Sequence, residues 1–152
     1  MTLERLEALE EIRRLKALYC RYSDRGYEGA GDDPVAFAAL FVPDAVWQGG
    51  RGEPVVGRKA IEERFVTWRS FGFHFVSNPI VDVDLDAGRA SARWSAIAPA
   101  TGDDGVALWI AGTYDDIVVR TAEGWLFERV RFRTAFRTPY ADGWAKTRFV
   151  DG

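Results

Sequence analysis

The amino-acid sequence predicts an α+β fold, with helices on one face of a curved antiparallel sheet, and three observations predict it. Up to about residue 70 the apolar residues recur at helical spacing between short loops. From Phe73 the period changes to two and holds through four long runs. Those runs are separated by DAG, TGDDG and TAEG, the Gly- and Asp-bearing breaks that hairpins require, so consecutive strands are antiparallel. Helices followed by strands, rather than alternating with them, define the class.

The first helix is expected from Thr2 or Leu3 to Arg25, with Gly26 as its breaker. Ile12, Leu15, Tyr19 and Tyr22 share one of its faces, so an apolar stripe becomes phenolic toward the helix end. Asp24 stands where unpaired carbonyls make the helix end negative, which disfavours a carboxylate and favours a raised pKa if the group is buried. It is either a candidate general base or simply a solvated partner of Arg21 or Arg25. Asp33 caps a short second helix opened by Pro34, Pro43 and Asp44 make a turn, and residues 45 to 47 form a short strand. A third helix runs from about Lys59 to Arg69, with Ile61, Phe65 and Trp68 on one side. Pro79 falls inside the first long strand, which is therefore bulged or at an edge there.

At 152 residues the chain is expected to form one domain, residues 1 to 152, with a single core. Its 20 basic and 23 acidic side chains are dispersed, which argues against nucleic acid and anionic membranes as partners. One cysteine, Cys20, excludes an internal disulfide and a thiolate metal cluster, and suits a cytoplasmic location. No apolar run approaches a membrane span, and the charged N-terminus has no signal-peptide core. Six Trp, five Tyr and ten Phe favour large flat core walls or an aromatic-lined pocket.

Several motifs fail on spacing. The glycines at 49 to 52 lack the GxGxxG pattern and its strand-turn-helix setting, so no nucleotide cofactor is indicated. DVDLDAG at 82 to 88 has its Gly one place late for a calcium loop, and Arg93 occupies the position that needs Glu. A single histidine excludes HExxH and any multi-histidine metal site. Asp103, Asp104, Asp115 and Asp116 are read as solvated residues in or beside turns. His74, the lone imidazole, lies between Phe73 and Phe75 and is a candidate for proton transfer if it faces the concave side, or a packed histidine bonded to backbone.

Tyr19 followed five residues later by Asp24, then FAALFVPDAVW, VVGRKAI, HFVSNPIVDVD and GTYDDIVVR before GW, resemble the SnoaL-like branch of the nuclear transport factor 2-like superfamily across nearly the whole chain. The resemblance implies a cone: a bent sheet wrapped round helices and enclosing a deep apolar pocket. That superfamily includes polyketide cyclases, ketosteroid isomerase, scytalone and bile-acid dehydratases, a hexachlorocyclohexane dehydrochlorinase, an epoxide hydrolase and non-catalytic members. By this resemblance Asp24 and His74 match an acid-base pair, and Tyr19 matches a tyrosine of the bile-acid dehydratase. Two departures stand out. Ala98 falls where the dehydratases carry a second Asp or His, and Val130 falls where the dehydrochlorinase carries Arg.

If Tyr114 faces inward, as the resemblance implies, alternation places Ile110 and Gly112 with it, and the neighbouring strands add Trp94, Ala96 and Ala98, and Val130, Phe132 and Thr134. Arg129, Arg131 and Arg133 then share the opposite face, paired with carboxylates such as Glu128. The wall is apolar, whether it serves as pocket or as core. The expected function is cofactor-free, metal-free acid-base chemistry by Asp24, His74 and Tyr19 on a small hydrophobic terpenoid, steroid, polyketide or aromatic substrate, with elimination or dehydration favoured over isomerisation. The alternative is a non-catalytic domain of the same fold that binds a small molecule without chemistry or serves as an oligomeric scaffold. A homodimer through the convex sheet face is what the family suggests, and the aromatic tail with Phe136, Tyr140 and Trp144 is expected either at the pocket mouth or against a second subunit.

Overall fold

The apolar stripe of the N-terminal segment needs one continuous surface to bury itself on, and the long strands supply it. In a computed structural model, which describes residues 1–66 and 70–150, helix α1 spans Leu3–Ser23. The Thr2 hydroxyl caps it by accepting the Arg5 N–H. Its buried face is Ala8, Ile12, Leu15, Lys16, Tyr19 and Ser23, a continuous row of three- and four-residue steps. Ser23 completes that face, and the expected Tyr22 is partly buried beside it against the core. Helix α2, Pro34–Ala39, follows with the Asp33 carboxylate accepting the Ala36 N–H at 2.9 Å. After strands β1, Phe41–Gln48, and β2, Val55–Val56, comes helix α3, Arg58–Val66, with Ile61 and Phe65 buried. Trp68, and the expected end of this helix at Arg69, lie outside the described residues.

The remaining strands are β3, Phe71–Gly72; β4, Phe75–Asp84; β5, Arg89–Thr101; β6, Ala107–Thr121; and β7, Gly124–Pro139. The four long ones pair antiparallel in sequence order, as hairpin turns require. Along the sheet the order is β2-β1-β7-β6-β5-β3, with β4 also on β5. The fold is the expected cone of curved sheet around three N-terminal helices, with one pairing the sequence did not suggest: β1 lies parallel to β7. Pro43 and Asp44, read as a turn, sit inside β1. The turn-forming pair acts locally all the same, since both residues are exposed and the register slips between Phe41 and Val46, an excursion that spares Pro43 a ladder hydrogen bond it cannot make. The same logic holds at Pro79, where β4 slips register between Ser77 and Ile80 and Asn78 takes a positive φ of 52°.

The core lies between the helices and the concave side of the sheet. Phe37 and Phe65 stack with centroids 3.8 Å apart, and Tyr19, Phe41 and Phe127 close round them. Each of these rings is essentially buried, a contribution of about 1.5 to 3 kcal/mol apiece.

Candidate active site

The end of α1 is stitched to the start of the sheet, and that stitch builds the site. Arg25 and Gly72 exchange both backbone hydrogen bonds at 3.1 Å. Gly26 continues the contact with φ +87°, so close to the next segment that a Cβ would stand 2.5 Å from the Ser70 carbonyl oxygen. Only glycine fits both the angle and the gap. This brings Asp24, one residue before the bridge, against His74, two residues after it. Asp24 Oδ1 accepts the His74 backbone N–H at 2.8 Å and lies 2.8 Å from His74 Nδ1, while Oδ2 accepts the Tyr27 hydroxyl at 2.9 Å. The side chains of His74 and Asp24 are 5% and 9% exposed. The expected alternatives for Asp24, Arg21 and Arg25, do not take part; Arg25 turns instead to Asp32 at 2.7 Å.

Because the carboxylate accepts on both oxygens, the hydrogen between Asp24 and His74 belongs to Nδ1. Ser23 Oγ stands 3.2 Å from the same nitrogen and donates its own proton to the Cys20 carbonyl. A neutral imidazole fixed in this way carries its lone pair on Nε2, and the carboxylate behind it stabilises the imidazolium formed by proton uptake. Burial, followed by the hydrogen bond to Asp24, pushes the Tyr27 phenol up to about 12, so it remains a donor to the carboxylate. The Cys20 thiol nearby is also pushed up to about 12, by burial, and is therefore not a thiolate nucleophile.

Tyr19 is 1% exposed, with its ring edge-on to His74 at 6.4 Å and to Tyr114 at 5.5 Å. Its hydroxyl accepts the Trp47 indole N–H at 3.0 Å, and burial holds its phenol far above the ordinary value. Trp47 in turn lines a cavity of about 700 Å³ at the open end of the cone. Of the expected wall, Ile110, Phe132 and Thr134 line this cavity, joined by Leu108 and Arg137. Trp94, Tyr114 and Val130 are buried in the core deeper in the cone, and Ala98 is half-buried on β5 opposite Ile110. Neither these four nor Asp24, His74 or Tyr19 are among the described residues that line it. Gly112 pairs with Thr134 where a Cβ would fall 2.1 Å from the Arg133 carbonyl oxygen, so the sheet closes tightly beside the cavity.

One charged pair was missed. Asp116 is not solvated beside a turn: it sits mid-strand in β6, 1% exposed, with Oδ2 at 2.9 Å from Nζ of Lys16, itself 2% exposed. Burial lowers the Lys16 pKa and raises that of Asp116, in each case against the attraction of the partner. The Lys16 ammonium also lies 3.4 Å from the centroid of Tyr114. The signal was available, since Asp116 has the same strand parity as Tyr114 and Lys16 lies on the face of Ile12 and Tyr19. Asp115, on the outer face, is likewise mid-strand and takes both Arg93 and Arg133, while Glu128 pairs with Arg89. Asp103 and Asp104 are exposed in the turn between β5 and β6, as expected.

Among the described residues no group of three or more His, Cys, Asp or Glu is placed to hold a metal ion, and no helix is long and apolar enough to cross a membrane. Comparison with curated proteins finds no match. Among solved structures, a candidate scytalone dehydratase from Novosphingobium aromaticivorans is 26% identical with TM-score 0.78, covering 92% of each chain. A candidate aromatic ring hydroxylase from the same organism is 28% identical with TM-score 0.76, over 90% of this chain and 96% of that one. The hexachlorocyclohexane dehydrochlorinase LinA-type3 of Novosphingobium barchaimii shares the fold at 18% identity, with TM-score 0.78 over 99% of both chains. With its residues 4–131 matching the family described as SnoaL-like domain, and with this cone in common with those structures, the chain belongs to the SnoaL-like family of the nuclear transport factor 2-like superfamily.

Proposed function

We propose that this protein is a cofactor-free lyase or isomerase that uses Asp24 and His74 as an acid-base pair on a small hydrophobic substrate, with elimination or dehydration favoured. The observation that carries the reading is the 2.8 Å contact between Asp24 Oδ1 and His74 Nδ1, with the imidazole also pinned through its own backbone N–H. In a dehydration, Nε2 of His74 takes a proton from a carbon next to an electron-withdrawing group. The C–O bond on the adjacent carbon breaks, and the imidazolium returns the proton to the leaving oxygen, so that water departs and the imidazole is restored. Tyr19 or Tyr114 steadies negative charge that develops on a substrate oxygen. The dehydratase and dehydrochlorinase names of the structural neighbours support elimination over other chemistries of the same acid-base logic.

A panel of apolar compounds with a hydroxyl or halide next to an acidic C–H, followed by mass spectrometry, tests the reading. Asp24→Asn and His74→Ala should each lower turnover of any compound processed by about 10²- to 10⁴-fold. Full activity in either variant ends the proposal. A second reading, a binding domain of the same fold without chemistry, is favoured by one observation: the pair is not among the described residues lining the cavity at the cone mouth. Tight binding of a co-purified compound that is never converted would select it.

A further inference from the structure

The Asp24 carboxylate is shared between His74 and one further side chain, Tyr27, whose packing does not explain its hydroxyl. Tyr27 is 38% exposed, and its ring lies 5.8 Å from that of Phe73 and 6.2 Å from that of Phe71, contacts that Phe would make as well. The hydroxyl is spent on Asp24 alone, donating to Oδ2 at 2.9 Å. The loop that carries it is laced to the end of α1. There the Gly31 N–H donates to the Arg21 carbonyl at 3.0 Å, the Asp32 N–H to the Asp24 carbonyl at 3.0 Å, and the Asp33 N–H to the Tyr22 carbonyl at 3.2 Å. Tyr27 is thus held from one side by α1 and from the other by the rings that lead into His74. Arg25, the cation next to Asp24 in sequence, is engaged elsewhere, with Asp32 and the Phe65 carbonyl.

We propose that Tyr27 is a positioning residue of the Asp24–His74 pair: its hydroxyl fixes the rotation of the carboxylate and, through it, keeps the proton of the neutral imidazole on Nδ1 and the lone pair on Nε2. A carboxylate turns easily about its last bond, a broad and soft torsion. Oδ1 must accept from the backbone N–H and from Nδ1 of His74 at once, both at 2.8 Å, and only a narrow range of that torsion serves both. A donor fixed on Oδ2 holds the group in that range. Water reaching this half-exposed place can replace the hydrogen bond but not its direction, because a phenol on a laced loop is preorganised and water is not. The inference deepens the acid-base reading and rests on it for its catalytic meaning, whereas the geometry stands by itself.

NMR of the isotope-labelled full chain tests it, since His74 is the only histidine and its ring nitrogens give one unambiguous pair of resonances. At a pH where the ring is neutral the wild type should hold the Nδ1–H tautomer, and Tyr27→Phe should raise the Nε2–H form relative to it by about tenfold. The His74 backbone N–H should exchange with solvent about tenfold faster in the variant. The Arg25 and Gly72 amides, which hold the same stitch without the carboxylate, should keep their rates. Tyr27→Leu, which gives up ring and hydroxyl together, should move the tautomer and the His74 amide in the same direction, and it decides the matter if the Phe variant fails to fold. An unmoved tautomer, a His74 amide that exchanges as in the wild type, or equal acceleration at all three amides overturns the assignment. Neither readout needs a substrate, so a wild-type chain that converts no compound would end the acid-base reading while these spectra still decide what Tyr27 does to the imidazole.

Discussion

Replacing Lys16 with Met tests how the deepest polar contact in the cone is held. The partners are 2% and 1% exposed and 2.9 Å apart. At that separation and an effective dielectric of about 20, their attraction is roughly 6 kcal/mol. Desolvating two ions costs several kcal/mol each, so the intact pair stabilises the fold little, yet removing one partner strands the other and should cost about 3 to 5 kcal/mol. For a chain of this length that is a fall in Tm of roughly 6 to 20 °C. Burial raises the Asp116 pKa in the fold, and without Lys16 only the Trp94 side chain is left to oppose the rise. An acid whose folded pKa is raised contributes stability that is present below its unfolded pKa of about 4 and is lost as pH climbs through the folded value. The Lys16→Met deficit should therefore grow between pH 4 and neutral pH. Urea unfolding of Lys16→Met, Asp116→Leu and the double variant measures it, and the double variant should come close to the native stability because two stranded charges have been replaced by a packed apolar contact. A deficit under about 1 kcal/mol, a deficit independent of pH, or a double variant no better than the worse single one would refute the reasoning.

Gly26→Ala should cost about 1 to 3 kcal/mol by thermal unfolding, because φ is +87° and the new methyl would meet the Ser70 carbonyl, and it should loosen the Asp24–His74 contact with a loss of any turnover. The outer face sets an acid limit. Asp115, although burial works against it, is held below the ordinary carboxylate range by Arg133 and Arg93, and Glu128 is held there by Arg89. Stability from depressed carboxylates is present above their unfolded pKa and lost as pH falls through the folded one, so unfolding midpoints should drop below about pH 4, by about 1 kcal/mol or less for these half-wet pairs. Asp115→Asn should flatten part of that acid slope in urea titrations.

The long strands and the first helix were legible because each carries its own period, and burial on one face enforces it. The candidate pair was legible for a different reason: the odd placement of Asp24 at a negative helix end and the singularity of His74 both mark residues that packing alone does not explain. What escaped the reading was long-range or phase-breaking. Nothing local to Phe41–Gln48 says that it will lie parallel to β7, and Pro43 with Asp44 reads as a turn when the strand merely detours there. Asp116 was discounted because its neighbours suggested a turn, although its parity with Tyr114 pointed inward. Past Thr134 the alternation of β7 changes phase at the Ala135 bulge, which brings Arg137 opposite Ile110, and that irregularity carries no composition signal.

The parallel seam between β1 and β7 ties the beginning of the chain's story to its end. Phe41 meets Phe127 across that seam, Phe37 of α2 packs on Phe41, and Phe65 of α3 stacks in turn on Phe37. A nascent chain therefore leaves the ribosome with its helices and β1 waiting for a partner strand that is made last, so contacts of low sequence separation cannot complete the core. Assembly is deferred until the final strand arrives, and then the helices, the sheet and the stitched end of α1 are secured together.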